Sequence, residues 1–177
     1  PKDLDRASKN DDLIYLLFNV EAMSHRSGWK WLEARLTLNG TKTLLILDES
    51  TTIKNPGAIR TKHLCRLGKL AKYRRILTGS PVTKSPLDLF TQCGFLSKEL
   101  LGFESYYTFR ARYAVMQQIQ IGGRQILLPK YYTNLDELEG KLKEFSFRVT
   151  KDECLDLPPK VYVQRQVNLN IEQHNIM

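Results

Sequence analysis

The stretch "TLLILDESTTIKNP", residues 43–56, decides the predicted fold. A run of apolar and near-apolar residues leads directly into two carboxylates, Asp48 and Glu49, and then into small hydroxyl side chains. A short apolar run of this kind is typical of a strand that is covered on both faces in a parallel sheet. Ligands of such sheets gather at the carboxyl ends of the strands. The stretch therefore predicts a buried strand with a functional site at its end.

Strands and helices are predicted to alternate around this strand. The segments "LIYLLFNV", residues 13–20, and "YRRILTGSP", residues 73–81, have the composition of further strands. Between the first two strands, "SGWKWLEARLTLNG", residues 27–40, predicts a helix with Ser27 as its N-cap and Gly40 as its stop. One face of that helix is apolar and holds Trp29, Leu32 and Leu36. This alternation indicates the α/β class, with a parallel sheet and helices on both faces.

The basic residues of the chain are concentrated in one segment. The formal net charge is +8, and residues 51–87 hold nine basic side chains and no acidic one. Such a one-sided block indicates a polyanionic partner. A helix that begins near residues 56–58 would present Lys62, Arg66 and Lys69 on one face. The opposite face would be apolar, with Leu64, Leu67 and Ala71. The basic face would contact phosphates or, in the alternative interpretation, only water.

The two carboxylates have a plausible chemistry at the end of a strand. An Asp in the position of Asp48 can hold the hydrated Mg²⁺ that bridges the β- and γ-phosphates of a nucleotide. A neighbouring Glu in the position of Glu49 can orient and deprotonate the attacking water. The charge of the metal would offset the repulsion between the two carboxylates. Because a strand that ends in Asp-Glu is not specific by itself, this interpretation needs a second signal.

The second signal is "LTGSP", residues 77–81. With it, the sequence resembles the superfamily-two helicases and DNA translocases, and among them the Swi/Snf-type ATPases, including the short forms of bacteria and phages. The family's second motif, a hydrophobic strand followed by Asp-Glu, matches "LLILDEST", residues 44–51. The family's third motif, usually Thr-Gly-Thr-Pro, matches Thr78, Gly79, Ser80 and Pro81.

Three further segments carry the resemblance. They are Ile-Lys-Asn at residues 53–55, "FNVEAM" at residues 18–23, and "FSFRVTKDECLDLPPK" at residues 145–160, which resembles the segment that closes the first motor lobe. The sequence departs from many relatives after the Asp-Glu pair, where they carry Ala-His or Gly-His and this chain carries Ser50 and Thr51. The histidine of those relatives helps to couple the bound nucleotide to the third motif. In this chain that role would pass to Ser50, or to Thr78 and Ser80.

The resemblance implies a division of the chain into three parts. Residues 1–86 would be the C-terminal half of the first RecA-like ATPase lobe, which is a partial RecA-like parallel sheet with flanking helices. Residues 87–150 would be the helical and β-hairpin addition typical of the Swi/Snf branch. Residues 151–177 would be a return strand and a linker towards a second RecA-like lobe.

The middle part of the chain has its own local patterns. The segment "YYTFRARYAV", residues 106–115, is interpreted as a packed aromatic helix with its arginines outward, and stacking of the aromatic rings on bases is the alternative. The segment "QIQIGGRQILL", residues 118–128, predicts a hairpin with a two-residue Gly-Gly turn. Asn134 and Glu137 predict a capping box for a following helix.

A phosphate-binding loop is missing from these 177 residues. The pattern Gly-x-x-x-x-Gly-Lys-Ser/Thr does not occur, so the chain lacks the backbone donors and the lysine that hold the β- and γ-phosphates of ATP. We therefore expect a fragment of the first motor lobe that neither hydrolyses ATP nor binds it tightly by itself.

The resemblance implies a DNA-dependent ATPase that uses ATP and Mg²⁺, moves on double-stranded DNA and works with a second RecA-like lobe. Asp48 would bind Mg²⁺, Glu49 would activate water, and the third motif would relay the nucleotide state. Candidate phosphate contacts to DNA are Lys54, Lys62, Arg66 and Lys69. The alternative function is a non-catalytic DNA-binding or scaffold domain that kept the motor fold without the phosphate-binding loop. The longest apolar runs fall short of the roughly 18 to 20 residues of a membrane span. We therefore predict no membrane partner and an intracellular place, in a bacterial or phage-infected cell.

Overall fold

The computed structural model describes residues 13–39, 42–154 and 161–165. The chain divides into two units, with residues 1–145 in the first and residues 146–177 in the second.

A parallel pair of strands forms the centre of the first unit. Strand β1 (Leu44–Leu47) pairs with β2 (Tyr73–Ile76) in parallel along the whole length of both. Parallel strands need a crossover, and helix α2 (Ile59–Gly68) lies in the connection. This βαβ unit confirms the α/β class and the two strands predicted around the Asp-Glu and Thr-Gly-Ser-Pro segments.

The predicted first strand is wrong. Residues 13–19 form no helix or strand, and a 3₁₀ helix follows at Val20–Ser24. Asn19 caps this helix, because its Oδ1 accepts a hydrogen bond from the backbone N–H of Glu21 at 3.0 Å. The apolar run alone misled the prediction, since a strand also needs a neighbouring strand to pair with. In the part of the chain that the structure describes, the only strand that pairs with β1 is β2.

Helix α1 (Arg26–Asn39) occupies the predicted place between these segments. It begins one residue before Ser27, so the prediction of Ser27 as N-cap is wrong. It ends at Asn39, and the predicted stop, Gly40, lies outside the described residues. Its apolar stripe is confirmed, because Leu32 and Leu36 are buried in the core.

One hydrophobic core joins α1, α2 and the parallel pair. Its buried residues are Met23, Leu32, Leu36, Leu47, Ile53, Leu64, Leu67, Ala71 and Phe95. The apolar face predicted for α2 is therefore confirmed. Burial of each large aliphatic side chain stabilises the fold by about 1.5 to 3 kcal/mol.

Residues 86–145 of the first unit form helices and one hairpin, as predicted. They contain a 3₁₀ helix (Pro86–Asp88), α3 (Leu89–Leu96), α4 (Tyr106–Tyr113), β3 (Ala114–Ile121), β4 (Arg124–Tyr132) and α5 (Leu135–Lys143). A second core lies among these elements and is built from Leu87, Leu89, Cys93, Leu101, Phe109, Tyr113, Ala114 and Leu138. Helix α3 contributes to both cores, so it connects this part to the parallel pair.

The hairpin and the aromatic helix match their predictions. Strands β3 and β4 are antiparallel, and Gly122 and Gly123 turn the chain with φ angles of 56° and 77°. Such positive φ angles favour glycine because it has no Cβ. In α4, Phe109 and Tyr113 are fully buried and the arginines remain partly exposed. The interpretation as a packed aromatic helix is therefore confirmed.

The predicted capping box is wrong. Asn134 has a left-handed backbone with φ 54°, and its side chain donates to the carbonyl of Arg112 at 2.8 Å. Glu137 accepts a hydrogen bond from the Tyr113 hydroxyl at 2.9 Å and forms an ion pair with Arg112. The hydrogen bond from Arg112 holds the pKa of Glu137 below its usual range. The carboxylate of Glu137 therefore pairs with side chains of another helix and not with the backbone N–H of Asn134 that a capping box requires.

The second unit is described only at residues 146–154 and 161–165. It contains the short helix α6 (Lys151–Cys154), at whose start Glu153 accepts hydrogen bonds from the N–H and hydroxyl of Thr150, both at 2.7 Å. The predicted Leu-Pro-Pro-Lys segment lies outside the described residues. Among the helices of the described ranges, none has the length and apolar character needed to cross a membrane.

Alanine substitutions at two helical glycines should change the free energy of unfolding in opposite directions. A Cβ at Gly28 in α1 would lie 2.4 Å from the carbonyl oxygen of Ala22, whereas a Cβ at Gly140 in α5 would meet nothing within 4 Å. We expect Gly28→Ala to destabilise the fold by about 1 to 3 kcal/mol through overpacking. Gly140→Ala should stabilise it by about 0.5 to 1 kcal/mol, because alanine favours the helix. Urea unfolding measures both, and shifts of the same sign would contradict the packing described here.

Candidate functional site

The two predicted motif segments meet at one edge of the parallel pair. Asp48 and Glu49 directly follow β1, and Thr78 comes two residues after β2. Two backbone hydrogen bonds extend the pairing beyond the strands. The N–H of Leu77 donates to the carbonyl of Leu47 at 2.9 Å, and the N–H of Ser50 donates to the carbonyl of Leu77 at 3.0 Å. The structure therefore brings together the second and third motif segments, which are far apart in sequence.

Both candidate catalytic carboxylates are exposed at this edge. Asp48 Oδ1 accepts a hydrogen bond from the N–H of Glu49 at 2.8 Å. Glu49 has a left-handed backbone, with φ 47° and ψ 56°. This conformation is uncommon for residues other than glycine and is concentrated at functional sites. It turns the chain sharply from β1 into the 3₁₀ helix Ser50–Ile53.

The donor set fits a hydrated magnesium ion better than a fully protein-bound metal. Within the described ranges, no group of three or more His, Cys, Asp or Glu side chains is placed to hold a metal. Mg²⁺ keeps several of its waters and is commonly held by one or two carboxylates together with substrate phosphates. Asp48, with Glu49 beside it, offers such a donor set. A structural zinc site would need about four protein ligands.

Ser50 connects the two motif segments through a buried glutamine. The Ser50 side chain is fully buried, and its Oγ donates to Gln92 Oε1 at 2.7 Å. Gln92 Nε2 donates in turn to the carbonyl of Pro81 at 2.8 Å and to the carbonyl of Asp88 at 2.9 Å. Sequence reasoning missed Gln92. The available signal was one amide in the largely apolar helical segment "LFTQCGFL", residues 89–96.

The hydroxyls of the third motif bond within their own turn. Thr78 Oγ1 accepts from the N–H of Ser80 at 3.2 Å, and Ser80 Oγ donates to the carbonyl of Val82 at 3.0 Å. Of the two alternatives left open for coupling, Ser50 is the one with contacts beyond its own segment. Its N–H bonds to the carbonyl of Leu77, and its hydroxyl is connected to the third motif through Gln92.

Lys54 links the same two regions and is not simply solvated. Its Nζ donates to Thr83 Oγ1 at 2.6 Å, and the Thr83 hydroxyl donates to Asp88 Oδ2 at 2.9 Å. Burial tends to raise the pKa of Asp88, but hydrogen bonds from Lys84 and Thr83 and the charge of Lys54 lower it overall. Asp88 is therefore held as a carboxylate, and Lys54 has an internal anionic partner nearby.

The predicted basic face borders a groove of about 340 Å³. Lys62, Arg66 and Lys69 lie on one side of it, and the half-buried rings of Phe90 and Tyr106 also line it. All three basic side chains are exposed, as predicted.

Arg66 has internal partners among the residues that the structure describes. Arg66 forms an ion pair with Glu33 at 2.6 Å, and its guanidinium lies 5.3 Å from the centre of the Trp29 ring. Contact between Arg66 and a phosphate would have to compete with these interactions. Lys62 and Lys69 are therefore the stronger candidates for contact with a polyanion.

The family of this chain follows from a match to a protein-family model. The model described as "SNF2-related domain" matches residues 33–177, which include both motif segments, Gln92 and the basic face. The chain belongs to the SNF2-related domain family. The predicted membership of the Swi/Snf-type superfamily-two ATPases is thereby confirmed.

Individual proteins resemble this SNF2-related domain over about two thirds of its length. It is 35% identical over 118 residues to "SWI/SNF-related matrix-associated actin-dependent regulator of chromatin subfamily A-like protein 1 homolog" of Caenorhabditis elegans, covering 66% of this chain and 16% of that protein. It is 32% identical over 119 residues to "DNA annealing helicase and endonuclease ZRANB3" of Mus musculus, covering 67% of this chain and 11% of that protein. The chain thus spans only a small part of these curated relatives.

One solved structure is also similar. It is described as "Sulfolobus solfataricus SWI2/SNF2 ATPase core in complex with dsDNA", and the match has a TM-score of 0.46 and 29% sequence identity. The match covers 70% of this chain and 24% of that one.

Two threonines with buried hydroxyls, beside the site of the SNF2-related domain, should respond differently to substitution by valine. Thr91 Oγ1 donates to the carbonyl of Ile53 at 2.6 Å, whereas Thr52 Oγ1 is buried without a hydrogen-bond partner among the described residues. Thr91→Val should cost about 1 kcal/mol of unfolding free energy, because it removes a hydrogen bond. Thr52→Val should be neutral or stabilising by up to about 1 kcal/mol, because it removes an unpaired buried hydroxyl. Thermal unfolding of both variants is the measurement, and a larger loss for Thr52→Val would contradict this assignment.

Proposed function

We propose that this SNF2-related domain is part of the first RecA-like motor lobe of a DNA-dependent ATPase that couples ATP hydrolysis to movement on duplex DNA. The observation that carries the proposal is the meeting of the Asp-Glu segment, residues 48–50, with the Thr-Gly-Ser-Pro segment, residues 78–81, at one sheet edge. In the proposed division, residues 1–86 belong to the RecA-like lobe, residues 87–150 form the Swi/Snf addition and residues 151–177 lead towards a second lobe.

The proposed roles follow from the position of each side chain. Asp48 would hold the hydrated Mg²⁺, which would neutralise charge on the β- and γ-phosphates of ATP. Glu49 would orient the attacking water and accept its proton. The Thr78 to Pro81 turn would report the nucleotide state to the DNA-binding surface. Ser50 supports this role, because it bonds both to the end of β2 and to Gln92.

Duplex DNA is the proposed partner of the basic face. The mouse relative is described as a DNA annealing helicase and endonuclease, and this chain carries a formal net charge of +8. Clustered lysines that contact phosphates release counterions, which favours binding. Lys62 and Lys69 would make such contacts, with Arg66 and Lys54 contributing if they leave their internal partners.

The source organism and the cellular location of the protein remain predictions. The two curated relatives described above come from a nematode and a mouse. A bacterial or phage short form, acting inside the cell, is the form that the sequence pattern favours.

A non-catalytic DNA-binding or scaffold domain is the second candidate. In this candidate the motor fold is kept without the Gly-x-x-x-x-Gly-Lys-Ser/Thr loop that holds the phosphates of ATP. Both candidates predict DNA binding, and ATP turnover by the whole gene product distinguishes them.

Substitution of Glu49 tests the catalytic proposal. In the protein as its gene encodes it, we expect Glu49→Gln to lower DNA-stimulated ATP hydrolysis by about 100-fold or more, because the water loses its base. Asp48→Asn should raise the Mg²⁺ concentration needed for activity. Glu139→Gln, an exposed carboxylate paired with Lys143 on α5, is the control and should leave the rate unchanged. Turnover that survives Glu49→Gln, or that the 177-residue chain shows without further segments, would contradict the assignment.

A salt series tests the basic face. Duplex DNA binding by the chain is compared with that of a Lys62→Ala, Arg66→Ala, Lys69→Ala variant. The log–log slope of affinity against salt should become shallower by up to about 2.7, or by about 1.8 if Arg66 stays with Glu33, at roughly 0.9 for each lost phosphate contact. Lys143→Ala serves as a one-charge control on another helix. An unchanged slope in the triple variant would mean that the face is only solvated.

A further inference from the structure

Gln92 is a buried polar side chain to which the proposed function assigns no role of its own. It lies in α3, and only 1% of it is exposed. A buried primary amide costs free energy unless its donors and acceptor are paired. Here its oxygen accepts one hydrogen bond and its nitrogen donates two, so both amide hydrogens are used.

Two of the three partners of Gln92 come from other segments of the chain. Ser50 follows the candidate catalytic Glu49 and Pro81 ends the third motif, whereas Asp88 is the N-cap of α3 itself. The separation from Ser50 is 42 residues, so only the tertiary fold creates this contact. A displacement of the Pro81 turn relative to Ser50 would break at least one of the three bonds. In the protein interior each broken bond leaves a polar group without a partner, which costs free energy.

The Glu49 backbone depends on this arrangement. Ser50 is held at two atoms, its N–H by the carbonyl of Leu77 and its hydroxyl by Gln92. Glu49 immediately precedes it in a left-handed conformation that surrounding contacts must maintain. Loss of the Gln92 bond would therefore loosen the residue next to the candidate base without removing any group that touches ATP.

Other residues of helix α3 lie near the basic face. Phe90 and Gly94 of this helix line the groove that Lys62 and Lys69 border. A polyanion on the basic face would thus lie beside the helix whose buried side carries Gln92.

We propose that Gln92 is a positioning residue that couples the Pro81 turn to Ser50 and Glu49, and through which DNA binding stimulates hydrolysis. The inference rests on the proposed function for its catalytic readout. Its structural part, a mechanical connection between the two motif segments, stands on the hydrogen bonds alone.

The catalytic test compares Gln92→Leu, Ser50→Ala and the double variant in the protein as its gene encodes it. We expect the ratio of DNA-stimulated to basal ATP hydrolysis to fall by about tenfold in each single variant, within the usual range of coupling between sites. The double variant should be no worse than the more affected single variant, because both break the same connection. Gln118→Leu, an exposed amide in the hairpin that bonds to Gln125, is the control and should keep the wild-type ratio. A ratio that is unchanged in the Gln92→Leu and Ser50→Ala variants would overturn the inference.

A second measurement does not depend on ATP. Amide hydrogen exchange at residues 82–84 should become about tenfold faster in Ser50→Ala, because Gln92 loses its bond to Ser50 and then holds the adjacent Pro81 turn less firmly. The hairpin of β3 and β4 should exchange as in the wild type. Because Ser50→Ala removes only one hydroxyl, it remains usable as a test if Gln92→Leu does not fold. Unchanged exchange at residues 82–84 in the folded variant would refute the connection. If exchange becomes faster in Ser50→Ala but the wild-type protein shows no ATP hydrolysis, the connection between the two motif segments is supported and the proposed function is refuted.

Discussion

The parallel pairing of β1 and β2 is the constraint on which the candidate site depends. It brings the residues that follow each strand to the same edge, and two backbone hydrogen bonds through Leu77 extend the pairing past the strand ends. Because parallel strands need a crossover, the chain between them forms α2, which packs its apolar side on the pair. The same crossover carries the basic residues. The pairing therefore places the carboxylates, the third motif and the basic helix in one unit.

A buried polar network stabilises this edge where backbone pairing ends. Ser50, Thr91 and Gln92 are all buried, and each makes a hydrogen bond from its side chain to another segment. Unpaired, these groups would cost free energy, so their partners define one arrangement of the loops. Helix α3 supplies two of the three side chains and contributes to both hydrophobic cores. It is therefore the element that connects the parallel pair with the helical part of the first unit.

Several charged residues make interactions in the folded chain that their positions in the sequence do not indicate. Arg66 and Lys54 belong to a basic block that reads in the sequence as a surface for phosphates. In the structure Arg66 pairs with Glu33 and stacks near Trp29, and Lys54 bonds to Thr83 beside Asp88. Glu137 likewise binds Arg112 and Tyr113 instead of capping its own helix. Charge and spacing identify candidate residues, but the competition among partners depends on chain segments that meet only after folding.

The sequence by itself determined the strands at residues 44–47 and 73–76, the helix between them, the Gly-Gly hairpin and the motif residues from Asp48 to Pro81. These features depend on local apolar periodicity, on glycine's tolerance of positive φ angles and on short motifs. The tertiary structure decided what local patterns leave open. It showed that residues 13–19 form no strand, that Asn134 is not a capping-box residue, and that Gln92 joins Ser50 to Pro81. The physical reason is that strand pairing, ion pairs and buried hydrogen bonds form between residues distant in sequence, and their strength depends on burial that only the folded chain creates.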